Sequence, residues 1–433
     1  MNIGQQIAVT IQDIAFGGEG VARTDDGVIF VPFTAVGDQG LVEVTEVRKN
    51  FAKGRLLALS VPGAGREEPA CPHYGRCGGC QYQHLTYEAE FAAKCKQLKD
   101  CLQRIGGFSV LPELSPAFPA PECYGYRNKL RLEAYALKVA PGDPPLVDYG
   151  YYALDNKTFM RINGCRLARP ELNKMLPSAI KSDWGKANAR RHKSGKPAAG
   201  KPGKPGKPGA SPRADRPGAL TLRIDSAGEV KYYFGFSPAK LGWFREELNG
   251  VPYRVPTGSF WQVNPKVASQ LLKTADEWTR ELPLETLVDA YCGVGTFACA
   301  LTHPFKERLL IENDHAATEA ADYNLQQKLL GCQIVTDATE KALPKALPRY
   351  DQTKTLVVLD PPRSGCQEQT VKAIVDNKPA WVLYVSCNPS TLARDLRKLV
   401  SEGSYELRRL ALFDMFPRTA HFETAVLLEH RQS

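Results

Sequence analysis

The chain reads as a multidomain α/β protein, with a small N-terminal β-barrel, a β-rich central region and a C-terminal α/β domain built on a mostly parallel sheet. Three observations predict this. At 433 residues the chain exceeds what one ordinary core organises. Residues 1–60 are short runs of β-branched residues cut by glycine turns. From about residue 251 strand-like and helix-like runs alternate, the signature of a parallel sheet with helices on its faces. The expected division is therefore 1–60, 61–250 and 251–433.

In the first segment, "QQIAVTIQDI", "GVARTDDGVIFVPF" and "GLVEVTEV" supply the strands of a five-strand, OB-like barrel. The late stretch "RKNFAKGR" (48–55) carries four basic residues, one Phe and no acid. A basic aromatic segment on a small barrel fits RNA binding, and equally a solvated hairpin. In the second segment, "TYEAEFAAKCKQLKDCLQRIG" has helical spacing closed by Gly106-Gly107, with Cys95 and Cys101 as packing residues. The runs "RNKLRLEAYAL", "LVDYGYYAL", "LTLRIDSAG" and "VKYYFGF" read as strands.

The net charge of +9 is local. Residues 186–218 hold ten Lys or Arg and one Asp, which accounts for all of it. Three consecutive Gly-Lys-Pro triplets are too few for a collagen helix, and the segment cannot bury a core, so an extended, disordered insert is expected. Global charge therefore says nothing about partners of the folded parts. No uninterrupted apolar run spans a bilayer, and the start lacks a basic region followed by an apolar block, so a cytoplasmic protein without membrane contact is expected. Twelve cysteines in such a chain argue for metal or catalytic roles over a disulfide framework.

The motifs concentrate at strand ends of the third segment. "ETLVDAYCGVGTFACALT" (285–302) reads strand, glycine-rich turn, helix, with Asp289 at the strand end and Gly293 and Gly295 in the turn. "RLLIEND" places Glu312 at the end of a second strand, where a carboxylate can accept two ribose hydroxyls. "CQIVTDATE" places Asp337 after a third, within reach of an adenine amine. The dinucleotide fingerprint is absent, so a nucleoside without phosphate, such as S-adenosylmethionine, fits this Rossmann-like domain better. In "TLVVLDPPRSG" the prolines stop a fourth strand and leave Asp360 at the sheet edge. Arg363 stands where amino-methyltransferases carry a base-stacking aromatic, which counts against exocyclic amine methylation. Cys387 in "YVSCNP" ends the next strand. A lone strand-end cysteine is ordinarily packing, but on this edge its thiolate could add to a flat, electron-poor ring. Glu423 in "HFETAVLL" returns a carboxylate to the same edge.

Upstream, "CPHYGRCGGC" sets Cys71, Cys77 and Cys80 at C-x5-C-x2-C spacing. Gly78-Gly79 allow the tight turn, and four thiolates could hold zinc or an iron–sulfur cluster. No fourth cysteine lies locally.

Taken together, "FWQVNP", "DAYCGVGTF", "LDPPRSG", "VSCNPSTLARDL" and "HFET", in that order, resemble the RNA uracil carbon-5 methyltransferases. The chain is similar in particular to the 23S ribosomal RNA branch, which carries an N-terminal TRAM barrel and an iron–sulfur cluster. The likeness covers nearly everything except 186–218. It implies a C-terminal S-adenosylmethionine-dependent methyltransferase domain acting on a uridine of RNA, most often 23S rRNA, as a monomer. It implies Cys387 as nucleophile, Glu423 as proton-abstracting base and Asp360 as a residue between cofactor and target base. It also implies Gln262, Tyr291, Thr296, Glu312 and Asp337 as cofactor contacts, although many relatives carry Asn at the position of Thr296. Cys165 becomes the fourth ligand, with Cys71, Cys77 and Cys80, of a 4Fe–4S cluster. Two other readings stay open: a catalytically idle, cluster-carrying RNA-binding module, and a methyltransferase acting on tRNA, whose enzymes usually lack the barrel and cluster.

Overall fold

The β-branched runs at the N-terminus fold as β1 (Gln6–Thr10), β2 (Asp13–Ile14), β3 (Glu19–Thr24), β4 (Gly27–Pro32), β5 (Gln39–Val47) and β6 (Ala52–Val61). They form one sheet in the order β1-β5-β6-β4-β3-β2 around Val9, Ala22, Ile29, Val31, Val42 and Val44. The sequence predicts five strands. The sixth is β2, a two-residue segment too short to show an alternation. Gly54 is required where β6 crosses this core, because a Cβ there would overlap Val42 and Ile29.

The computed structural model describes residues 1–137, 146–182, 218–235 and 242–431. Residues 186–217 of the basic insert lie outside the described residues. The chain divides into two compact units, one of Met1–Tyr74, Gly79–Tyr124 and Trp243–Ser433, the other of Gly75–Gly78 and Gly125–Gly242.

In the first unit the barrel is followed by α1 (Tyr87–Arg104), capped by Thr86, whose hydroxyl accepts from Ala89 N at 3.3 Å. Its buried face is mixed: Leu98, Cys101 and Leu102 lie beside Glu90, Lys94 and Gln97. β7 (Leu114–Phe118) then joins the large sheet described below.

The second unit, taken by itself, is a sheet ordered β10-β9-β8-β11-β12. It comprises β8 (Lys129–Leu137), β9 (Leu146–Tyr152), β10 (Phe159–Arg161), β11 (Leu220–Ile224) and β12 (Val230–Phe234). The helix α2 (Pro170–Lys181) covers it through Leu172 and Leu176, against Leu130, Leu132, Leu220 and Leu222.

From Trp243 the chain returns to the first unit. The hairpin β13 (Trp243–Leu248) and β14 (Val251–Pro256) leads into α3 (Pro265–Thr279). Then β15 (Thr286–Asp289), α4 (Thr296–Ala300), β16 (Glu307–Glu312), α5 (His315–Gln327), β17 (Gln333–Thr336), α6 (Thr339–Ala346), β18 (Thr355–Leu359), α7 (Glu368–Asn377), β19 (Trp381–Ser386) and α8 (Pro389–Gly403) alternate. β20 (Tyr405–Phe413) and β21 (Glu423–His430) close the chain. The sheet order is β17-β16-β15-β18-β19-β21-β20-β7, with β15 to β19 parallel and β21 antiparallel to both neighbours. All residues of β15 and β18 are buried, as expected of strands covered on both faces. Strand order reverses between β15 and β18, the switch point at which open parallel sheets bind ligands beyond their carboxyl ends. No helix among the described residues is long and apolar enough to cross a membrane.

Candidate active site

The switch point is built from the glycine turn after β15. Gly293 and Gly295 both have positive φ (54° and 80°), and Gly295 opens α4. At Gly295 a side chain would also meet Leu325. The turn is tied to the next strand end: Gly293 N donates to Glu312 Oε2 at 3.1 Å, and Asn313 N and Asp314 N donate to Glu312 Oε1 at 2.8 and 2.9 Å. Asp289 beneath it is fully buried, and neither carboxylate oxygen has a well-formed hydrogen bond among the described residues. Burial first, then the charges of Asp360 and Glu312, push its carboxyl up to about 8.

The other cofactor candidates fall around this turn on different elements. Tyr291 and Thr296 are half-buried on the turn and at the start of α4, and the carbonyl of Thr296 accepts from Tyr253 Oη at 3.1 Å. Burial, then Cys366, push the Tyr291 phenol up. Gln262 lies in the 257–264 segment, half-buried between the buried Trp261 and Asn264. That segment is anchored by Ser259 Oγ donating to Asp314 Oδ2 at 3.0 Å and Asn264 Nδ2 donating to Met415 O at 3.4 Å. Asp337 follows β17 and is exposed, its Oδ1 accepting from Ala338 N at 2.8 Å.

On the other side of the switch point, Asp360 directly follows β18 and Cys387 directly follows β19. Glu423 begins β21, whose next residue, Thr424, pairs with Ser386. Two parallel strands and one antiparallel strand thus deliver a carboxylate, a thiol and a second carboxylate to one edge. Burial, then Asp360, raise the Glu423 carboxyl well above its ordinary range, while Arg363 pulls it down. Glu423 Oε2 is buried with no hydrogen-bond partner among the described residues. Asp360 keeps part of its surface open, but its carboxyl is enclosed, and burial raises it. The Cys387 thiol is pushed up to about 12 by burial and then by Glu423, with Arg363 opposing through its charge and a hydrogen bond.

Arg363 is a further residue of this edge, acting on both Cys387 and Glu423, and its signal in the sequence is a cation three residues after the strand-end Asp360. Its backbone is held by Asn388 Nδ2 (3.0 Å) and Thr391 Oγ1 (3.3 Å), both donating to its carbonyl. Asn388 also caps α8, accepting from Ser390 N at 3.1 Å. Cys387 therefore sits just before the N-terminus of a 15-residue helix, whose dipole favours a thiolate.

Cys71 and Cys80 belong to the first unit and Cys77 and Cys165 to the second, and all four are half-buried and outside any disulfide. Cys71 N donates to Gln83 Oε1 at 3.1 Å. Cys165 is held by Asn173, which accepts from its N–H at 2.9 Å and donates to its carbonyl at 3.0 Å. Among the described residues no three His, Cys, Asp or Glu side chains converge as a metal-ligand group.

The sheet order, the glycine turn and the carboxylate at the end of β16 define a methyltransferase of the nucleoside-cofactor class. Known proteins narrow this. The tRNA (Uracil-5-)-methyltransferase family profile matches residues 246–431 and the TRAM domain profile residues 2–57. Uncharacterized RNA methyltransferases from Thermosynechococcus vestitus (34% identical over 98% of each chain) and Bacillus cereus (31%, over 98% of this chain and 96% of that one) are similar over their whole length. Among solved structures, the Pyrococcus abyssi tRNA (uracil-54, C5)-methyltransferase in complex with S-adenosyl-L-homocysteine shares the fold, with a TM-score of 0.66 and 22% identity over 97% of this chain and 99% of that one. The chain belongs to the uracil-5 RNA methyltransferases and is an S-adenosylmethionine-dependent enzyme acting on RNA.

Proposed function

We propose that this enzyme methylates carbon 5 of a uridine in 23S rRNA through a covalent cysteine–uracil adduct, as a cytoplasmic monomer. The observation that carries the reading is the meeting of Cys387, Arg363, Asp360 and Glu423 at the edge where the sheet order reverses. Carbon 5 of uracil is too weak a nucleophile for a methyl sulfonium. The Cys387 thiolate adds to carbon 6, and the resulting enolate makes carbon 5 nucleophilic. When bound, S-adenosylmethionine supplies the electrophilic methyl group. Glu423 then removes the remaining proton from carbon 5, and elimination restores the thiol and the aromatic ring. A Glu423 carboxyl of raised proton affinity suits that task. Arg363 opposes, by its charge and a hydrogen bond, the burial that raises the Cys387 thiol. A stacked or paired base cannot reach the thiol, so the uridine is splayed out of the RNA.

The site fits a cationic cofactor. Like charge from Asp360 and Glu312 raises the proton affinity of Asp289, and like charge from Asp360 raises that of Glu423. A sulfonium with an ammonium group relieves that repulsion. Gln262, Tyr291, Thr296, Glu312, Asp337 and Asp360 are the proposed contacts, with Glu312 on the ribose and Asp337 on the adenine. Residues 1–60 are assigned to RNA binding, 61–250 to a central domain and 251–433 to catalysis.

Cys71, Cys77, Cys80 and Cys165 are proposed to hold a 4Fe–4S cluster on their spacing and the family resemblance alone. No step depends on the cluster. Iron and acid-labile sulfide per chain after anaerobic purification, compared with Cys80→Ser, decide it.

The test of the main reading is trapping. Wild type and Cys387→Ala are incubated with S-adenosylmethionine and 5-fluorouridine transcripts of 23S rRNA fragments or of tRNA. Fluorine cannot leave as a proton, so elimination stalls. A covalent RNA–protein adduct with wild type alone is expected, and with the rRNA fragments only. An adduct with tRNA only moves the substrate to the second reading, and no adduct despite tight RNA binding rejects the covalent mechanism.

A further inference from the structure

The hairpin before the cofactor segment has one face that the catalytic reading does not use. Its inward residues, Phe244, Glu246, Leu248, Tyr253 and Val255, are buried. Its outward face is led by Arg245 and Arg254, both exposed and directly opposite each other in the strand register. Like charges in that position are unfavourable for the sheet itself. Neither arginine has an ion-pair partner among the described residues, and the one acid on the face is Glu247. The fold therefore keeps two unneutralised cations side by side.

Aromatic rings flank them. The Arg254 guanidinium lies 4.1 Å from the ring centre of Tyr323 on α5 and 5.0 Å from that of Trp243. Tyr323 is itself exposed. The platform is also rigid with respect to the cofactor turn. Asn324 accepts from Arg254 N at 2.8 Å, donates to Arg254 O at 3.2 Å, and donates to Val294 O within that turn at 3.0 Å.

We propose that this outer face, carried by Trp243, Arg245, Arg254 and Tyr323, is a docking platform for single-stranded RNA flanking the target uridine. The proposal rests on the RNA substrate of the reading above and names where its backbone and neighbouring bases lie. Paired guanidinium groups neutralise phosphates, and exposed ring faces stack bases without regard to sequence. Charge decides against a neutral or basic protein partner, and a rigid tie to the cofactor turn gives the RNA a fixed register relative to the reacting base.

The probe is a fluorescein-labelled single-stranded RNA of about twelve nucleotides with a central uridine, within the span such sites cover. Binding to the full-length protein is read by anisotropy across a salt series. Among the described residues Arg245 touches no ring and makes no ion pair, so its variants do not endanger the fold, and Arg245→Glu places opposite charges across the strands. Arg245→Glu is expected to keep or raise Tm and to retain S-adenosylmethionine affinity, yet to weaken RNA at least tenfold. Arg245→Ala should lower the slope of log K against log salt by about 0.7, one phosphate contact on a single strand. Arg254→Ala should weaken RNA further by removing the stack as well. RNA affinity within twofold of wild type in Arg245→Glu, with an unchanged salt slope in Arg245→Ala, overturns the proposal, whether the face then covers a protein or nothing. Binding is read independently of turnover, so a chain that fails the trapping assay but binds RNA through these arginines separates the two readings.

Discussion

Lys94→Met removes the only ammonium from a fully buried charge cluster. Lys94 Nζ donates to Glu90 Oε1 at 2.6 Å, to Asp414 Oδ1 at 2.7 Å and to Phe416 O at 3.3 Å, and neither it nor the two acids has exposed surface. Tyr87 Oη donates to Asp414 Oδ2 at 2.8 Å, and Arg418 N donates to Glu90 Oε1 at 2.7 Å. The cluster thus pins α1 to residues 414–418, in the loop that delivers Glu423. Even with Lys94 present, burial outweighs its attraction and holds the Glu90 carboxyl above the ordinary range. Without it the two buried carboxylates keep one counter-charge, Arg418, whose Nη1 lies 3.5 Å from Glu90 Oε2. Breaking a buried pair in this way costs about 3–5 kcal/mol. In a chain of this size that is a Tm loss of about 3–6 °C by thermal unfolding.

The pH dependence has a definite sign. A carboxyl whose folded pKa exceeds its unfolded value carries no penalty below the unfolded value of about 4.3, and a growing one as pH rises above it. The deficit of Lys94→Met is therefore smaller at pH 5 than at pH 8. A triple variant, Glu90→Gln with Lys94→Met and Asp414→Asn, removes the unpaired charges and should recover most of the stability. Under the proposed mechanism it should still turn over more slowly than wild type, because the loop before Glu423 loses its anchors. Product release by elimination would lag, so the covalent RNA adduct would accumulate on ordinary uridine RNA. Lys94→Met with an unchanged Tm at pH 8 would refute the energetic reasoning. A fully active triple variant with no adduct would refute the positioning role.

Arg363→Met removes the guanidinium that opposes burial at the Cys387 thiol, so single-turnover rates at pH 7 should fall at least tenfold, and a rate within twofold of wild type would refute that role. Asp289→Asn removes a buried carboxyl raised to about 8, so the cofactor-free variant should gain stability relative to wild type as pH rises from 5 to 8, by at most about 1.4 kcal/mol per pH unit. The same change should weaken S-adenosylmethionine more than S-adenosylhomocysteine, which lacks the sulfonium charge, in calorimetric titration, and equal losses for both would remove that charge as the reason.

The catalytic edge was legible because parallel sheets place chemistry at strand ends, and strand ends are marked locally. Asp289, Glu312, Asp360 and Cys387 each follow an apolar run and precede a Gly, Pro or polar turn. Glu423 was legible for the converse reason, since it begins the antiparallel β21 and so reaches the same edge from the other direction. The cluster ligands were legible as a spacing but not as a site. Three thiols close in sequence fix nothing about a fourth 85 residues beyond Cys80, and no three converge among the described residues.

The buried charges were not legible, and the reason is physical. Glu90 and Lys94 stand at i,i+4 on α1, a pattern that ordinarily marks a solvated face. Only Asp414, 320 residues away, turns that face inward and makes the pair part of the core. The exposed hairpin arginines present the opposite case. Their residue types are unremarkable, and only the register that sets Arg245 against Arg254 shows a repulsion the fold leaves uncompensated. In both places the information lies in pairings between distant segments, one buried with every charge neutralised and one exposed with two charges left over. Neutralised buried charges hold the loop that leads to the proposed base, whereas leftover surface charge needs a partner from outside, and a polyanion is the partner this enzyme's substrate supplies.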